Sequence, residues 1–249
     1  MDAQPKVGIV TGGGGGIGRA VCQSLARSGF QLVLTDVDEE AARATAALLP
    51  ERQALVVPGN IAAESDVQRL FSQTIEHFGR VDVVVHTAAI CRNIGILDIS
   101  VEEWDRIIGI NLRGTFLVGR EAFRIMKEQR SGRIIFFASA AAKIGGVAVG
   151  AHYAASKAGV ICFTKSLALQ AAPYKINVNA VCPGPIRTAM TAVWGDEVNR
   201  EFAEKIPWKE YGEPEDVAAA VGQHPVTTLL AGVGAGMLLS GLLAWKHSR

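Results

Sequence analysis

The 249-residue chain has almost no surplus of charge of either sign: 25 Lys and Arg stand against 24 Asp and Glu, a formal net charge of +1. Proteins that hold a polyanion carry a basic excess or a local basic run. Neither is present, so nucleic acid and an acidic membrane surface are not expected partners. Cysteine is scarce. Cys22, Cys91, Cys162 and Cys182 are scattered, without a C-x-x-C pair or a histidine at ligand spacing, so neither a metal site nor a disulfide framework is expected. They read as small apolar core residues of a reducing compartment. The N-terminal Met1-Asp2-Ala3-Gln4-Pro5-Lys6 lacks the apolar centre of a secretory signal, which points to the cytoplasm. No linker, repeat or low-complexity tract interrupts the chain before about residue 222, and this length suits one α/β domain, taken as residues 1–221.

What the sequence does have is alternation. Val7–Val10, Gln31–Thr35, Ala54–Val57, Val81–Val85, Arg133–Phe137 and Ile176–Val181 are short β-branched runs of the kind buried on both faces of a sheet. Between them lie stretches of helical period. From Ser65 to Gly79 the apolar positions Val67, Leu70, Phe71, Thr74, Ile75 and Phe78 stripe one helix face. Ser65 with Gln68, and Ser100 with Glu103, fit capping boxes. Strand and helix in repeated alternation predict a Rossmann-like, doubly wound parallel sheet with right-handed crossovers.

The first strand runs into Thr11-Gly12-Gly13-Gly14-Gly15-Gly16-Ile17-Gly18 and then a helix. Glycines let backbone amides approach a diphosphate, and the helix N-terminus turns free N–H groups and its positive dipole end toward the anion. Asp36 ends the second strand near the offset at which an acid accepts hydrogen bonds from the ribose hydroxyls and repels a 2′-phosphate. NAD is therefore expected over NADP. The competing reading has Asp36 merely opening the next helix with Asp38, Glu39 and Glu40. Tyr153-Ala154-Ala155-Ser156-Lys157 places a phenol and an ammonium one helical turn apart, and a nearby cation favours the phenolate.

Together with Asn111-Leu112-Arg113-Gly114-Thr115, Ser139, and Asn179-Ala180-Val181-Cys182-Pro183-Gly184 through Ile186 and Thr188, these motifs resemble the short-chain dehydrogenases/reductases over roughly residues 5 to 221. The resemblance implies hydride transfer between nicotinamide C4 and a secondary alcohol or ketone. It makes Tyr153 the general acid/base and Lys157 the group that lowers the tyrosine pKa and holds the nicotinamide ribose. Ser139 holds the substrate oxygen, and Asn111 holds a water in a proton relay. Cofactor contacts fall to Thr11, Gly12, Gly16, Ile17, Gly18, Asp36, Asn60, Ile61, Thr87, Ala88, Tyr153, Lys157, Pro183, Gly184, Ile186 and Thr188. A small-molecule substrate and a homodimer through the helices around residues 101–130 and 153–171 are implied, with the tetramer in doubt.

Three local departures from the family pattern stand out. Ser139 precedes Tyr153 by fourteen positions, one more than is usual, and Ala140 holds the usual place. A methyl cannot donate to a carbonyl, so Ser139 is taken as the serine and the extra residue is placed in a longer loop through Gly145-Gly146. His86-Thr87-Ala88-Ala89 stands for the usual Asn-Asn-Ala-Gly, so His86 or Thr87 must replace a structural asparagine bond. Asn60-Ile61 stands for Asp-Val beside adenine.

The largest departure is the end of the chain. After Glu213-Pro214-Glu215-Asp216-Val217-Ala218 the usual last strand gives way to residues 222–249, with no charge between Val226 and Trp245. About twenty apolar residues suffice for a membrane-crossing helix, and Gly232, Gly236, Trp245, Lys246 and Arg249 fit one. A tail anchor through 226–245, a buried element completing the core, and an unselected ending all remain open readings. Ala189 to Pro207, with Met190, Trp194 and Trp208 nearby, reads as a substrate lid. The leading function is an NAD-dependent oxidoreductase; the alternative is a catalytically silent dinucleotide-binding or scaffold protein.

Overall fold

The computed structural model describes residues 4–51, 53–145, 149–206 and 208–222. Six parallel strands, β1 (Val7–Thr11), β2 (Gln31–Thr35), β3 (Ala54–Val56), β4 (Val83–His86), β5 (Gly132–Phe137) and β6 (Ile176–Val181), lie in the order β3-β2-β1-β4-β5-β6. The period of two along each strand divides its side chains between two cores. Ile9, Val33, Val84, Ile134 and Phe136 enter one core, while Val10, Leu32, Leu34, Val85, Ile135 and Phe137 enter the other.

Helices cover both faces. The first core is closed by α3 (Glu64–Phe78), α5 (Gly114–Gln129) and α7 (Ala151–Ala171) through Phe71, Val118, Met126 and Val160. The second is closed by α1 (Gly16–Arg27) and α10 (Pro214–Gly222) through Val21, Leu25, Val217 and Val221. α2 (Glu39–Ala46) links β2 to β3. The chain winds outward from β1 to β3, then crosses to β4 and winds the other way. The strand order therefore reverses between β1 and β4, and a crevice opens at their C-terminal ends, where Thr11 pairs with His86.

Some local expectations need correction. β3 is half-buried along its length because it is an outer strand, and β6, at the other outer position among the described residues, exposes Asn177. The strand expected from Val81 begins at Val83. No capping box forms at Ser65: the N-cap of α3 is Ala63, two residues earlier, without a side-chain cap. At Ser100 half of the box is present, with Ser100 Oγ accepting the Glu103 N–H at 3.2 Å to start α4 (Val101–Ile108). Cys22 and Cys182 are buried apolar fillers, but Cys91 is half-buried and Cys162 exposed.

Between α4 and α5 the helix passes through a π turn, Gly109–Arg113. After β5 comes the short α6 (Ala141–Ile144), and after β6 come α8 (Ala189–Ala192) and α9 (Asp196–Lys205). The residues expected to form a lid are tied down here. Thr188 and Thr191 box the start of α8, Asn199 Nδ2 donates to the Thr191 carbonyl at 3.2 Å, and Tyr211 donates to Asn199 Oδ1 at 2.8 Å. The 226–245 segment lies outside the described residues; among those described, no helix is long and apolar enough to cross a membrane.

Candidate active site

The residues singled out for chemistry gather at the C-terminal end of the sheet: the glycine turn follows β1, Asp36 β2, Asn60 β3, Thr87 β4, Ser139 β5 and Pro183 β6, with Asn111 in the π turn and Tyr153 and Lys157 on α7. On the β1 side, Gly12 adopts φ +69°, and a Cβ there would meet the Ala88 backbone nitrogen and Thr87 Oγ1 at 2.8 Å. A Cβ on Gly18 would fall well inside contact with the Gly12 carbonyl oxygen and 2.8 Å from its carbon. Bare backbone is thus required on both sides of the turn.

The N-terminus of α1 has neither a side-chain cap nor an acid in its first turn, whereas α2 is capped by Asp38 and followed by Glu39 and Glu40. The first-turn amides of α1 remain free donors. Asp36 is held at the rim: its Oδ2 accepts the Gly14 N–H at 3.0 Å and its Oδ1 the Asp38 N–H at 3.2 Å. Asp38, not Asp36, caps α2 by accepting from Ala41, which removes the reading of Asp36 as a helix opener. The next loop is fastened to Asp36 through the Gly59 N–H. In that loop the Asn60 N–H donates to Asp66 and Asn60 Oδ1 accepts from Ala62, while Ile61 turns into the core against Gly114. Ile61 therefore offers the crevice its backbone only.

The missing asparagine of the fourth-strand motif is replaced by two residues. His86 Nδ1 is 2.7 Å from Thr11 Oγ1, and Thr87 Oγ1 donates to the Thr11 carbonyl at 2.7 Å. Burial, with Lys157 adding to it, pushes the His86 imidazole down to about 3, so this ring is neutral and structural.

On the β5 and β6 side, Ala140 is spent on the backbone, its N–H donating to the Pro183 carbonyl at 2.9 Å. Ser139 lies beside the Tyr153 phenol and works against its raised pKa, and its Oγ accepts the Ala141 N–H at 3.2 Å. Asn111, buried in the π turn, accepts from the Ile90 N–H at 2.9 Å and donates to the Ile90 carbonyl at 2.9 Å and Ser156 Oγ at 3.1 Å. Thr188 reaches across to α1, its Cγ2 lying 3.1 Å from where a Gly16 Cβ would be. Ile186 is buried and bridges to Gly212.

Electrostatics correct one expectation. Lys157 is buried and its Nζ donates to the Phe137 carbonyl at 2.7 Å, 5.8 Å from the centre of the Tyr153 ring. Burial lowers the ammonium to about 8, opposed by Cys91 and Cys182. The Tyr153 phenol is raised, not lowered: burial is the largest cause, Cys91 adds to it, and the Ser139 bond opposes. Desolvation of the phenol outweighs any help from the cation in the cofactor-free protein.

A family profile described as enoyl-(acyl carrier protein) reductase matches residues 12–222. The chain belongs to the short-chain dehydrogenase/reductase family. It is similar to the 3-oxoacyl-[acyl-carrier-protein] reductase FabG of Aquifex aeolicus, 38% identical over 221 residues, 88% of this chain and 89% of that protein. The 3-oxoacyl-[acyl-carrier-protein] reductase of Synechocystis is also 38% identical, over 219 residues and 87% of each chain. Among solved structures, levodione reductase superposes with a TM-score of 0.82 at 34% identity, covering 87% of this chain and 88% of that one. The structure of gox2181 gives 0.85 at 32% identity, covering 88% of each. The parallel sheet and its crevice are thus those of an oxidoreductase family that uses a nicotinamide dinucleotide and small-molecule substrates.

In this short-chain dehydrogenase/reductase, three contributors to the site escape sequence reading. Cys91 lies in the cluster around Tyr153 and within electrostatic reach of both Tyr153 and Lys157, and burial raises its thiol to about 11. Ser156 links Asn111 to α7, and Asp66 holds the Asn60 loop. Ser156 carries a faint signal in its place beside Lys157; the other two carry none.

Proposed function

We propose that this protein is an NAD(H)-dependent ketoreductase that interconverts a ketone and a secondary alcohol with Tyr153 as general acid/base. The observation that supports it best is the placement of the buried Tyr153 phenol, with Ser139 beside it, one helical turn from Lys157 and across the crevice from the uncapped glycine turn.

The dinucleotide fits what is present. Thr11, Gly12, Gly16, Ile17 and Gly18 would hold its diphosphate, and Asp36 the adenosine ribose. Asn60, the Ile61 backbone, Thr87 and Ala88 would line the adenine side, and Pro183, Gly184, Ile186 and Thr188 the carboxamide side. When bound it supplies the hydride acceptor or donor. Asp36 is half-buried with one lone-pair direction on each oxygen already used, and a 2′-phosphate beside it would meet like charge.

The remaining work belongs to the chain. Ser139 orients the reacting oxygen by hydrogen bonding, and Tyr153 gives or takes its proton. The raised phenol of the free protein keeps its proton at neutral pH, so Tyr153 is in the protonated form that ketone reduction starts from, though as a weaker acid than a free phenol. Lys157, poised near 8, can exchange a proton with the Tyr153 side once it leaves the Phe137 carbonyl. The relatives' printed names, 3-oxoacyl-[acyl-carrier-protein] reductase, direct the substrate reading toward 3-oxoacyl thioesters. A homodimer fits the exposed Phe116 and Leu169 on α5 and α7.

The test is NADH oxidation with acetoacetyl-coenzyme A and a panel of ketones and alcohols, in parallel with Tyr153→Phe. Turnover that falls by at least about a hundredfold in the variant, with NADH still bound, is the expected result. NADH binding without turnover on any substrate would favour the silent-scaffold alternative instead.

A further inference from the structure

One buried polar pair has no part in the site described above. His152, immediately before Tyr153 in α7, is fully buried, and neither of its ring nitrogens has a hydrogen-bond partner among the described residues. Facing it from α4 is Glu103, whose Oε1 is also buried and unpartnered among those residues, 3.9 Å from His152 Nε2. The other side of the imidazole lies against backbone. A Cβ on Gly150 would come 2.6 Å from Nδ1 and 3.0 Å from the Arg92 carbonyl oxygen, which itself accepts the Gly150 N–H. A glycine is needed at 150 to make room for this ring.

A buried polar group left unpaired costs about 1–3 kcal/mol. If the ring only filled space, a leucine or phenylalanine would do so without that cost. The two unpaired groups are complementary, an acceptor oxygen opposite an imidazole nitrogen. Glu103 is otherwise loosely held, with Oε2 3.5 Å from Arg106. The terminal torsion of a glutamate is broad, so the pair can close without backbone movement.

What the pair would do follows from what it joins. α4 leads into the π turn that carries Asn111, and α7 carries Tyr153 and Ser156. Asn111 to Ser156 is already one strut between these elements. Glu103 to His152 is a second, about one turn further out on α7 and adjacent to the phenol. The Gly150 N–H to the Arg92 carbonyl holds the backbone at the start of α7, and a Glu103–His152 contact would add a side-chain tie between α4 and the turn that carries the phenol.

We propose that Glu103 and His152 form a clasp that positions Tyr153 for proton transfer. The proposal rests on the reading of Tyr153 as the acid/base. An error of about 1 Å in such a group costs up to about a hundredfold in rate. In the full-length protein, with NADH and acetoacetyl-coenzyme A, Glu103→Ala and His152→Leu are expected to lower kcat by about ten- to a hundredfold. Their KM for NADH should stay within about twofold of the parent, because the glycine turn is untouched. Glu103→Gln, which keeps an acceptor oxygen, should recover most of the lost kcat.

The clasp is overturned if Glu103→Ala and His152→Leu keep the parental kcat while Tyr153→Phe loses it. It is also overturned if Glu103→Gln is as slow as Glu103→Ala. If Tyr153→Phe itself retains turnover, the acid/base reading falls instead. Should the Ala and Leu variants fail to fold, the imidazole nitrogen resonances of His152, recorded in the parent and in Glu103→Gln, decide it. A change on substitution supports the contact, and identical spectra refute it.

Discussion

Replacing Gly18 by alanine tests the glycine turn at its tightest point. The added methyl would overlap the Gly12 carbonyl oxygen, lie 2.8 Å from the Gly12 carbon and 3.1 Å from the Gly13 Cα. All three are backbone atoms, so no side chain can swing aside. The turn must open by about 1 Å, which overpacking data put at about 1–3 kcal/mol. For a chain of this size each kcal/mol lowers Tm by about 2–4 °C, so a loss of roughly 2–12 °C is expected in a thermal melt. The same opening displaces the amides at the start of α1, and NADH affinity, measured by fluorescence titration, should fall at least about tenfold, which is ~1.4 kcal/mol. Gly15→Ala is the control: its Cβ would meet one atom, the Gly12 oxygen, at 3.4 Å, and its φ is −77°, so melt and affinity should stay near the parent. If Gly18→Ala also kept both, the turn would not be the close-packed anion cradle described here.

Asp36→Ser combined with Gly15→Arg should move the NADH-to-NADPH preference toward NADPH by at least about tenfold, read as the ratio of kcat/KM values, because a like charge is removed and a cation supplied; an unchanged ratio would show that Asp36 does not choose the cofactor. His86 governs acid stability. Its imidazole is held down to about 3 in the folded chain against an ordinary 6.5, so the unfolded chain binds the extra proton and stability falls as pH drops from about 6.5 to about 3. In His86→Asn, urea unfolding should show a shallower loss over that window, by up to about 1.4 kcal/mol per pH unit; an equal slope would refute it. Lys157 works in the alkaline range. Its pKa is lowered to about 8 from 10.5, so the folded chain releases its proton first and this residue's contribution to stability rises with pH between those values. Lys157→Met should remove that rise.

How much of this was legible in the sequence differs from one residue to the next. Strand positions came through well, because apolar runs buried on two faces leave few alternatives; β2 and β6 fall where the pattern puts them. The preference for Ser139 over Ala140 rests on chemistry alone, since only one of them has a hydroxyl, and the structure adds that the Ala140 N–H is taken by the Pro183 carbonyl. The cap of α3 was not, because Ser65 competes with a fold in which Asp66 is already engaged by the Asn60 N–H and Arg69. The state of Tyr153 was misread for a related reason: spacing shows that a cation lies a turn away but not that both groups are dry, and desolvation reverses the sign. The Glu103–His152 pair joins residues 49 positions apart on different helices, a contact no local pattern announces.

The π turn at Gly109–Arg113 carries a consequence for how this helix can change. Were Gly109–Arg113 to close up as ordinary α-helix with no residue removed, residues 101–129 would gain an uninterrupted ladder and everything downstream would rotate by roughly a quarter turn. Val118, Ala122 and Met126 would leave the core together, and Asn111 would lose Ile90. The irregularity acts as a phase setting for the whole of α5: a locally more comfortable helix would be out of step with the rest of the molecule. Straightening this stretch at its present length should therefore be more damaging to the packing of α5 than a change that keeps the turn.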